Sequence, residues 1–284
     1  MKKHVLIRKE SGELESFSRY KLASSLENSG ATPVEVTAIL DDIESWLQDG
    51  VSSRKIRERA FYLLRHRQLG LAARYRLKRA MMELGPTGYP FEILVGEVFR
   101  RLGYEVEVGK TLIGHCVTHE VDVVARKGND LYFIECKYYQ HTGKNANVQV
   151  PMYIRSRVDD LIKYHKTLPE YEQVTFHGGV FTNTRFTSDA VSFGECTGLE
   201  LTSWDYPHGN GLKELIDREK VFPITVLTKL SMPEKQLLLD QDIVLCRQLI
   251  DSPDLLTKLG MDDKKQRRIM EEIHTLCPCK ETEF

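Results

Sequence analysis

No stretch of this 284-residue chain approaches the roughly 18 consecutive apolar residues that span a bilayer as a helix, which excludes a helical membrane protein. Nor does an apolar segment of signal-peptide length follow the Met-Lys-Lys-His start, so the expectation is a soluble, cytoplasmic protein with no membrane partner. Charge of one sign is missing as well: 40 Lys and Arg face 41 Asp and Glu, a formal net charge of −1. Bulk charge therefore argues neither for nor against nucleic acid, and only local clustering can. Cysteine is sparse, with six scattered residues, and Cys136 sits in a strand-like run where a reduced thiol packs as an ordinary apolar group. A reducing compartment is expected. His274, Cys277 and Cys279 make no zinc site, because Cys-x-Cys is poor ligand spacing and no second pair lies nearby. Internal repeats and low-complexity tracts are absent, and the length allows two or three separate cores.

What is present centres on residues 119–139. Val121-Asp122-Val123 and Leu131-Tyr-Phe-Ile-Glu135-Cys136-Lys137 flank a Gly-Asn-Asp turn, which predicts a β-hairpin. Strand alternation puts Glu135 and Lys137 on one face with Leu131 and Phe133, while Asp122 is a lone carboxylate in an apolar strand. An unpaired charge is costly to bury, so such a carboxylate wants a cation. Hard oxygen ligands select Mg²⁺ or Mn²⁺, ions that take further ligands from phosphate substrates. The competing reading of this spacing is an edge-strand charge pair without chemistry.

The N-terminal part predicts a hairpin over residues 4–17, a helix capped by Ser18, and helices over 33–48, 53–66 and 71–84, the last stopped by Gly85-Pro86. A basic stripe runs through Arg54, Lys55, Arg57, Arg59, Arg65, Arg67, Arg74, Arg76, Lys78 and Arg79, and such a stripe also suits a solvated face. Val5-x-x-Arg8-Lys9-x-x-Gly12, Phe17-x-x-x-Lys21-Leu22-x-x-Ser25-Leu26, Asp49-Gly50-Val51-Ser52 and Ala73-Arg74-Tyr75-x-Leu77 together resemble an ATP-cone domain. The resemblance implies regulation by ATP or dATP, with Arg8, Lys9 and Lys21 on the triphosphate; Arg57 and Arg59 lie in the family's third contact region without an assigned role. Point charges of this kind are what polyphosphate oxygens require. Gly109-Lys110-Thr111 is a decoy: Gly103 is one residue too far upstream for a P-loop, and the segment leads toward a strand and not a helix.

After the turn-rich linker at 85–90, Phe91, Leu94, Val95, Val98, Phe99 and Leu102 fall at helical spacing before Gly103. The order helix 91–102, strands 104–108, 119–126 and 131–139, helix 147–167 and strand 174–182 resembles the PD-(D/E)xK nuclease core in its restriction-endonuclease-like, Mrr-type branch. The resemblance carries Glu97, Asp122, Glu135 and Lys137 onto the catalytic motif. It implies a Mg²⁺- or Mn²⁺-dependent deoxyribonuclease in which Asp122, Glu135 and the Cys136 carbonyl ligate the ion, Glu97 is a further or water-mediated ligand, and Lys137 positions water or stabilises developing charge. Gln149-x-x-x-Tyr153, with Arg157 one turn on, echoes a substrate-facing signature of some relatives; Tyr153 would equally suit helix packing. Residues 180–190 resemble that branch's strand-to-helix segment, with Ser188 as a helix start.

The expected fold is a multidomain α/β chain: a mostly helical ATP-cone with a small hairpin at 1–86, an α/β/α mixed-sheet nuclease domain at 87–211, and a small helical domain at 212–284. Leu255-Leu-x-x-Leu259-Gly260-Met261 before Lys264, Lys265, Arg267 and Arg268 resembles a helix-hairpin-helix without its second glycine, and packing or dimerisation is the other reading of that segment. DNA and ATP or dATP are the expected partners, and a homo-oligomer the expected assembly. The alternative is an ATP- or dATP-responsive DNA-binding regulator with an inactive nuclease core.

Overall fold

The structure is a computed structural model that describes residues 5–9, 11–67, 69–141 and 143–278, without the side chains of 65–67, 69, 70 and 73. His4 of the expected hairpin, Cys279, and the side chains of Arg65, Arg67 and Ala73 lie outside the described residues. The chain forms two compact units, one of Met1–Leu77 with His274–Pro278, the other containing Lys78–Ile273. Segments 87–211 and 212–273 thus share one unit.

In the first unit β1 (Leu6–Arg8) pairs antiparallel with β2 (Leu14–Ser16), Ile7 opposite Glu15. α1 (Arg19–Glu27) starts where the Ser18 side chain accepts the Lys21 N–H, and α2 (Pro33–Trp46) starts with a reciprocal Thr32/Glu35 capping box. α3 (Ser53–Arg67) follows, then α4 (Leu69–Met82). Leu22, Leu26, Ile39, Ile43, Ile56 and Leu64 form the core of this unit, with Ile7 and Phe17 of the hairpin packed on it.

In the second unit α5 (Tyr89–Arg101) leads into β3 (Glu105–Ile113), β4 (Thr118–Lys127) and β5 (Asp130–Lys137). The short β6 (Asn145–Ala146), α6 (Gln149–His165), β7 (Thr175–Thr182), β8 (Arg185–Phe186), α7 (Ser188–Thr197) and β9 (Glu200–Thr202) follow. The main sheet has the order β3-β4-β5-β7-β9, antiparallel across its first three strands and parallel thereafter. Two glycines let helices approach this sheet closely: a Cβ on Gly96 of α5 would meet Val108 at 2.9 Å, and one on Gly178 of β7 would meet Val158 of α6 at 2.9 Å. β3 is longer than the sequence predicts and runs through Gly109-Lys110-Thr111, so those residues lie in mid-strand and Gly109 takes a φ of +65°. α8 (Leu212–Glu219), α9 (Met232–Leu239), α10 (Cys246–Asp251), α11 (Asp254–Lys258) and α12 (Asp263–Leu276) complete the chain, giving a mixed α/β architecture with helices at both ends. Among the described residues no helix is long and apolar enough to cross a membrane.

Candidate active site

The site lies where two neighbouring strands stop pairing. The β4–β5 ladder ends at Val123 opposite Ile134, while β5 continues to pair with β7 as far as Lys137 opposite Thr182. Past the end of the ladder, the Asp122 carboxylate takes over as acceptor, with its Oδ2 2.6 Å from the Cys136 N. A side chain here replaces the missing backbone partner of a buried N–H. The far end of β5 is fixed from β7: Thr182 Oγ1 donates to the Lys137 carbonyl at 2.7 Å, and the buried Asn183 both accepts from and donates to the Tyr139 backbone, at 2.9 and 2.8 Å.

Glu135, only 4% exposed, is held between two cations. Its Oε2 lies 3.1 Å from Lys137 Nζ and its Oε1 2.6 Å from Arg157 Nη1 of α6. The other terminal nitrogen of Arg157 donates to the Glu120 carbonyl, tying α6 to β4. That tie is reinforced by Asp160 on α6, which accepts from the Cys116 and Val117 N–H groups at 2.9 and 3.3 Å and from His119 Nε2 at 2.8 Å. These bonds hold its carboxyl well below the usual carboxylate range, the His119 contact first.

A third carboxylate reaches this cluster from the first turn of α5, and it is Glu92. Burial, then the charges of Asp122, Glu120 and Glu135, push its carboxyl up to about 7. Burial likewise pushes Asp122 up, against the Cys136 N–H, Lys137 and Arg157. Glu135 is raised by burial and then by Asp122, despite its two cationic neighbours. Desolvation and like charge disfavour the ionised form of all three, so the cluster is short of positive charge.

Among the described residues no group of three or more His, Cys, Asp or Glu is already set to hold a metal ion. The chemistry of the donors nevertheless fits one: Glu92, Asp122 and Glu135 are hard oxygen donors whose mutual repulsion an oxygen-loving divalent cation relieves.

Other residues singled out in the sequence are distributed differently. Glu97 is not part of the cluster; it pairs with Arg100 at 3.4 Å and Arg101 at 3.2 Å on its own helix. Five residues turn an α-helix by about 140° beyond a full turn, so Glu92 and Glu97 cannot share a face. Cys136 is buried, its thiol pushed up by burial. Gln149 is exposed at the start of α6, where its backbone N–H donates to Asn147 Oδ1 at 3.1 Å. Tyr153 is 61% exposed, with the Arg157 guanidinium carbon 5.6 Å from its ring centroid. It is therefore not a core packing residue.

In the first unit a cavity of about 290 Å³ is lined by Lys9, Glu15, Ser18, Lys21, Arg57 and Tyr75, among others. Lys9 and Lys21 both pair with Glu15, and their hydrogen bonds pull its carboxyl down to about 2. Burial raises the Tyr75 phenol to about 12. Arg8 is absent from the lining: alternation along β1 sends Ile7 and Lys9 to the cavity and leaves Arg8 exposed on the other face. Arg59 is engaged elsewhere, in two 2.7 Å bonds to Asp42.

Residues 85–206 match the restriction endonuclease family of the Mrr catalytic domain, and residues 222–277 match the AF1548-like C-terminal family. A protein of Archaeoglobus fulgidus described as uncharacterized is 30% identical over 174 residues, covering 60% of this chain and 92% of that protein. The crystal structure of the protein of unknown function AF1548 aligns with 27% identity and a TM-score of 0.54, over 67% of this chain and 99% of that one. A repair endonuclease from Pyrococcus abyssi aligns at 18% identity and a TM-score of 0.28, over 41% of this chain and 46% of that one. The chain belongs to one family with the Archaeoglobus protein, and within it combines an Mrr-type restriction endonuclease domain with an AF1548-like C-terminal region.

Proposed function

We propose that this protein is a metal-dependent DNA endonuclease, with Glu92, Asp122, Glu135 and Lys137 as its active site and the N-terminal unit as a nucleotide-responsive regulator. The observation that carries the reading is the gathering of three carboxylates and Lys137 at the splayed end of β4 and β5, inside the residues that match the Mrr domain. Asp122, Glu135 and the Cys136 carbonyl are the groups to hold a Mg²⁺ or Mn²⁺ ion, with Glu92 as the further carboxylate. Bound there, such an ion supplies Lewis acidity toward the phosphodiester and eases deprotonation of the attacking water.

The chain's own residues do the rest. Lys137, kept beside Glu135 by its place two residues on along β5, donates to the phosphate oxygen on which charge builds up. Glu92 is the carboxylate of the cluster that accepts the proton released by the attacking water. Asp122 holds the Cys136 peptide in register so that its carbonyl stays fixed at the site. Gln149 and Tyr153 on the exposed face of α6 are the substrate-facing groups beyond the centre, Tyr153 offering a ring on which a base can stack. In the first unit Lys9, Lys21 and Arg57 around the cavity supply the positive charge for the triphosphate of ATP or dATP.

Nicking of supercoiled plasmid tests the reading, with wild type and Asp122→Asn compared in Mg²⁺, Mn²⁺ or EDTA, each with and without ATP or dATP. Metal-dependent nicking lost by at least about 10³-fold in the variant is expected. DNA binding without cleavage under every condition would favour the second reading, a DNA-binding regulator.

A further inference from the structure

Arg157 does more in this structure than a phosphate-following arginine needs to. Its side chain is 17% exposed, one terminal nitrogen lies 2.6 Å from Glu135 Oε1, and the other donates to the Glu120 carbonyl. Glu135 has two oxygens and both are engaged, one by Lys137 and one by Arg157. A divalent cation that takes Glu135 as a ligand competes with both of them for its lone pairs and repels both.

We propose that Arg157 is a cation-responsive latch: without a divalent ion it holds Glu135, and when an ion takes that carboxylate the guanidinium is released to bind the substrate phosphate. This rests on the nuclease reading and adds to it an order of events. Lys137 is the poorer candidate for release, because it shares a strand and a face with Glu135 and cannot leave its neighbourhood. Arg157 comes from a different element, α6, and side-chain torsions alone move it. A guanidinium and a divalent cation within a few ångströms repel strongly in a half-buried place, whereas the planar fork matches two phosphate oxygens.

The surroundings give the released arm somewhere to go. An open cavity of about 540 Å³ lies beside it, walled by Val117, His119, Glu120, Tyr153, Ser156 and Asp160. Tyr153, one turn earlier on α6 and already beneath the guanidinium, provides a ring along which it can slide while keeping a cation–π contact. Asp160 keeps the opposite wall in place through its bonds to residues 116, 117 and 119. The latch thus couples metal binding to the appearance of a substrate-binding cation.

The test is Mn²⁺ binding to the full chain without DNA, followed by electron paramagnetic resonance of the free ion, for wild type, Arg157→Ala and Arg157→Gln. Both variants free the carboxylate and remove a positive charge. Each is expected to bind Mn²⁺ about tenfold tighter than wild type. At saturating Mn²⁺ each is expected to cleave about 10²-fold more slowly in single turnover. Arg157→Gln retains a donor for the Glu120 carbonyl and carries the test if the alanine variant melts early. Affinity for Mn²⁺ that is unchanged or weaker in the folded variants overturns the latch alone. A wild type that takes up no Mn²⁺ overturns the nuclease reading, and the latch with it.

Discussion

Glu15 and Glu135 are each held between two cations, and their carboxyls move in opposite directions. Glu15, between Lys9 and Lys21 on the hairpin of the first unit, is pulled down to about 2. Glu135, between Lys137 and Arg157 at the end of β5, is pushed up. The pairing is alike and the setting is not. The cavity beside Glu15 is lined by Lys9, Lys21 and Arg57 against that one carboxylate and suits an anion. Glu135 is buried and shares its place with Asp122 and Glu92, so two cations do not balance three carboxylates and the place suits a cation. Counting partners around a single side chain does not predict which ion a site wants. The balance over the whole cluster does.

The comparison breaks most visibly if the carboxylate count at the second site is wrong, and α5 offers the cleanest test. Glu92→Gln removes a carboxyl that burial, then Asp122, Glu120 and Glu135, push up, and cleavage is expected to fall about 10²-fold. Glu97→Gln loosens only two intrahelical ion pairs, which contribute little, and should change the rate less than about threefold. Single-turnover cleavage of a labelled duplex at saturating Mg²⁺ decides it. A larger loss for Glu97→Gln than for Glu92→Gln would remove Glu92 from the site.

That pair of residues also marks how far the sequence could be read. The order of elements, the hairpin, and the convergence of Asp122, Glu135 and Lys137 were legible, because strand alternation and a turn signal fix which side chains share a face. On α5 the structure sets Glu92, and not Glu97, beside the other carboxylates, and the sequence carries a signal for it. Glu92 follows Phe91 and lies one residue round the helix from the apolar stripe on the side of Phe99, whereas Glu97 falls well off the stripe on the opposite side. Proximity to the stripe is easy to read; which of its two margins faces the end of β4 depends on how α5 is set on the sheet, a tertiary fact that Gly96 and Val108 decide. The same holds for Arg157. Its position on α6 suggested substrate, but only the packing of α6 against β4 reveals its bond to Glu135. In the hairpin, alternation along β1 separates Lys9 from Arg8, which the sequence resemblance treated alike.

A smaller effect is expected at the first glutamate. Glu15→Gln releases Lys9 and Lys21 from their shared partner, and ATP or dATP should bind about fivefold tighter, an effect that fades with added salt. Lys21→Ala should bind about tenfold more weakly. Titration calorimetry at low and high ionic strength measures both. A Lys21→Ala protein that binds neither nucleotide yet cleaves as wild type does, with and without ATP or dATP, would sink the regulatory half of the proposed function.

The opposite shifts also give the two glutamate sites opposite pH signatures, best followed through Glu92 and Glu15. The folded-state carboxyl of Glu92, at about 7, lies above the unfolded value of roughly 4.3, so the folded form holds the proton more tightly. Its contribution to stability is fully present below about pH 4.3 and is lost as pH rises through 7. After discounting for solvent screening of a half-buried group, the loss is about 1–2 kcal/mol. Glu15, at about 2, works the other way: its contribution is present above about pH 4.3 and is lost only as pH falls through 2. Thermal melts in EDTA therefore separate the two. Relative to wild type, Glu92→Gln should melt higher at pH 8 than at pH 5, by about 2–4 °C, because the amide mimics the protonated acid at every pH. The difference between wild type and Glu15→Gln should stay flat across that range, since Glu15 is ionised throughout. Adding Mg²⁺ should flatten the Glu92 slope as well, because a bound cation relieves the repulsion that raises the carboxyl. A Glu92 difference that is flat in EDTA would mean that neither burial nor the neighbouring carboxylates raise its carboxyl, and the contrast between the two sites would fail.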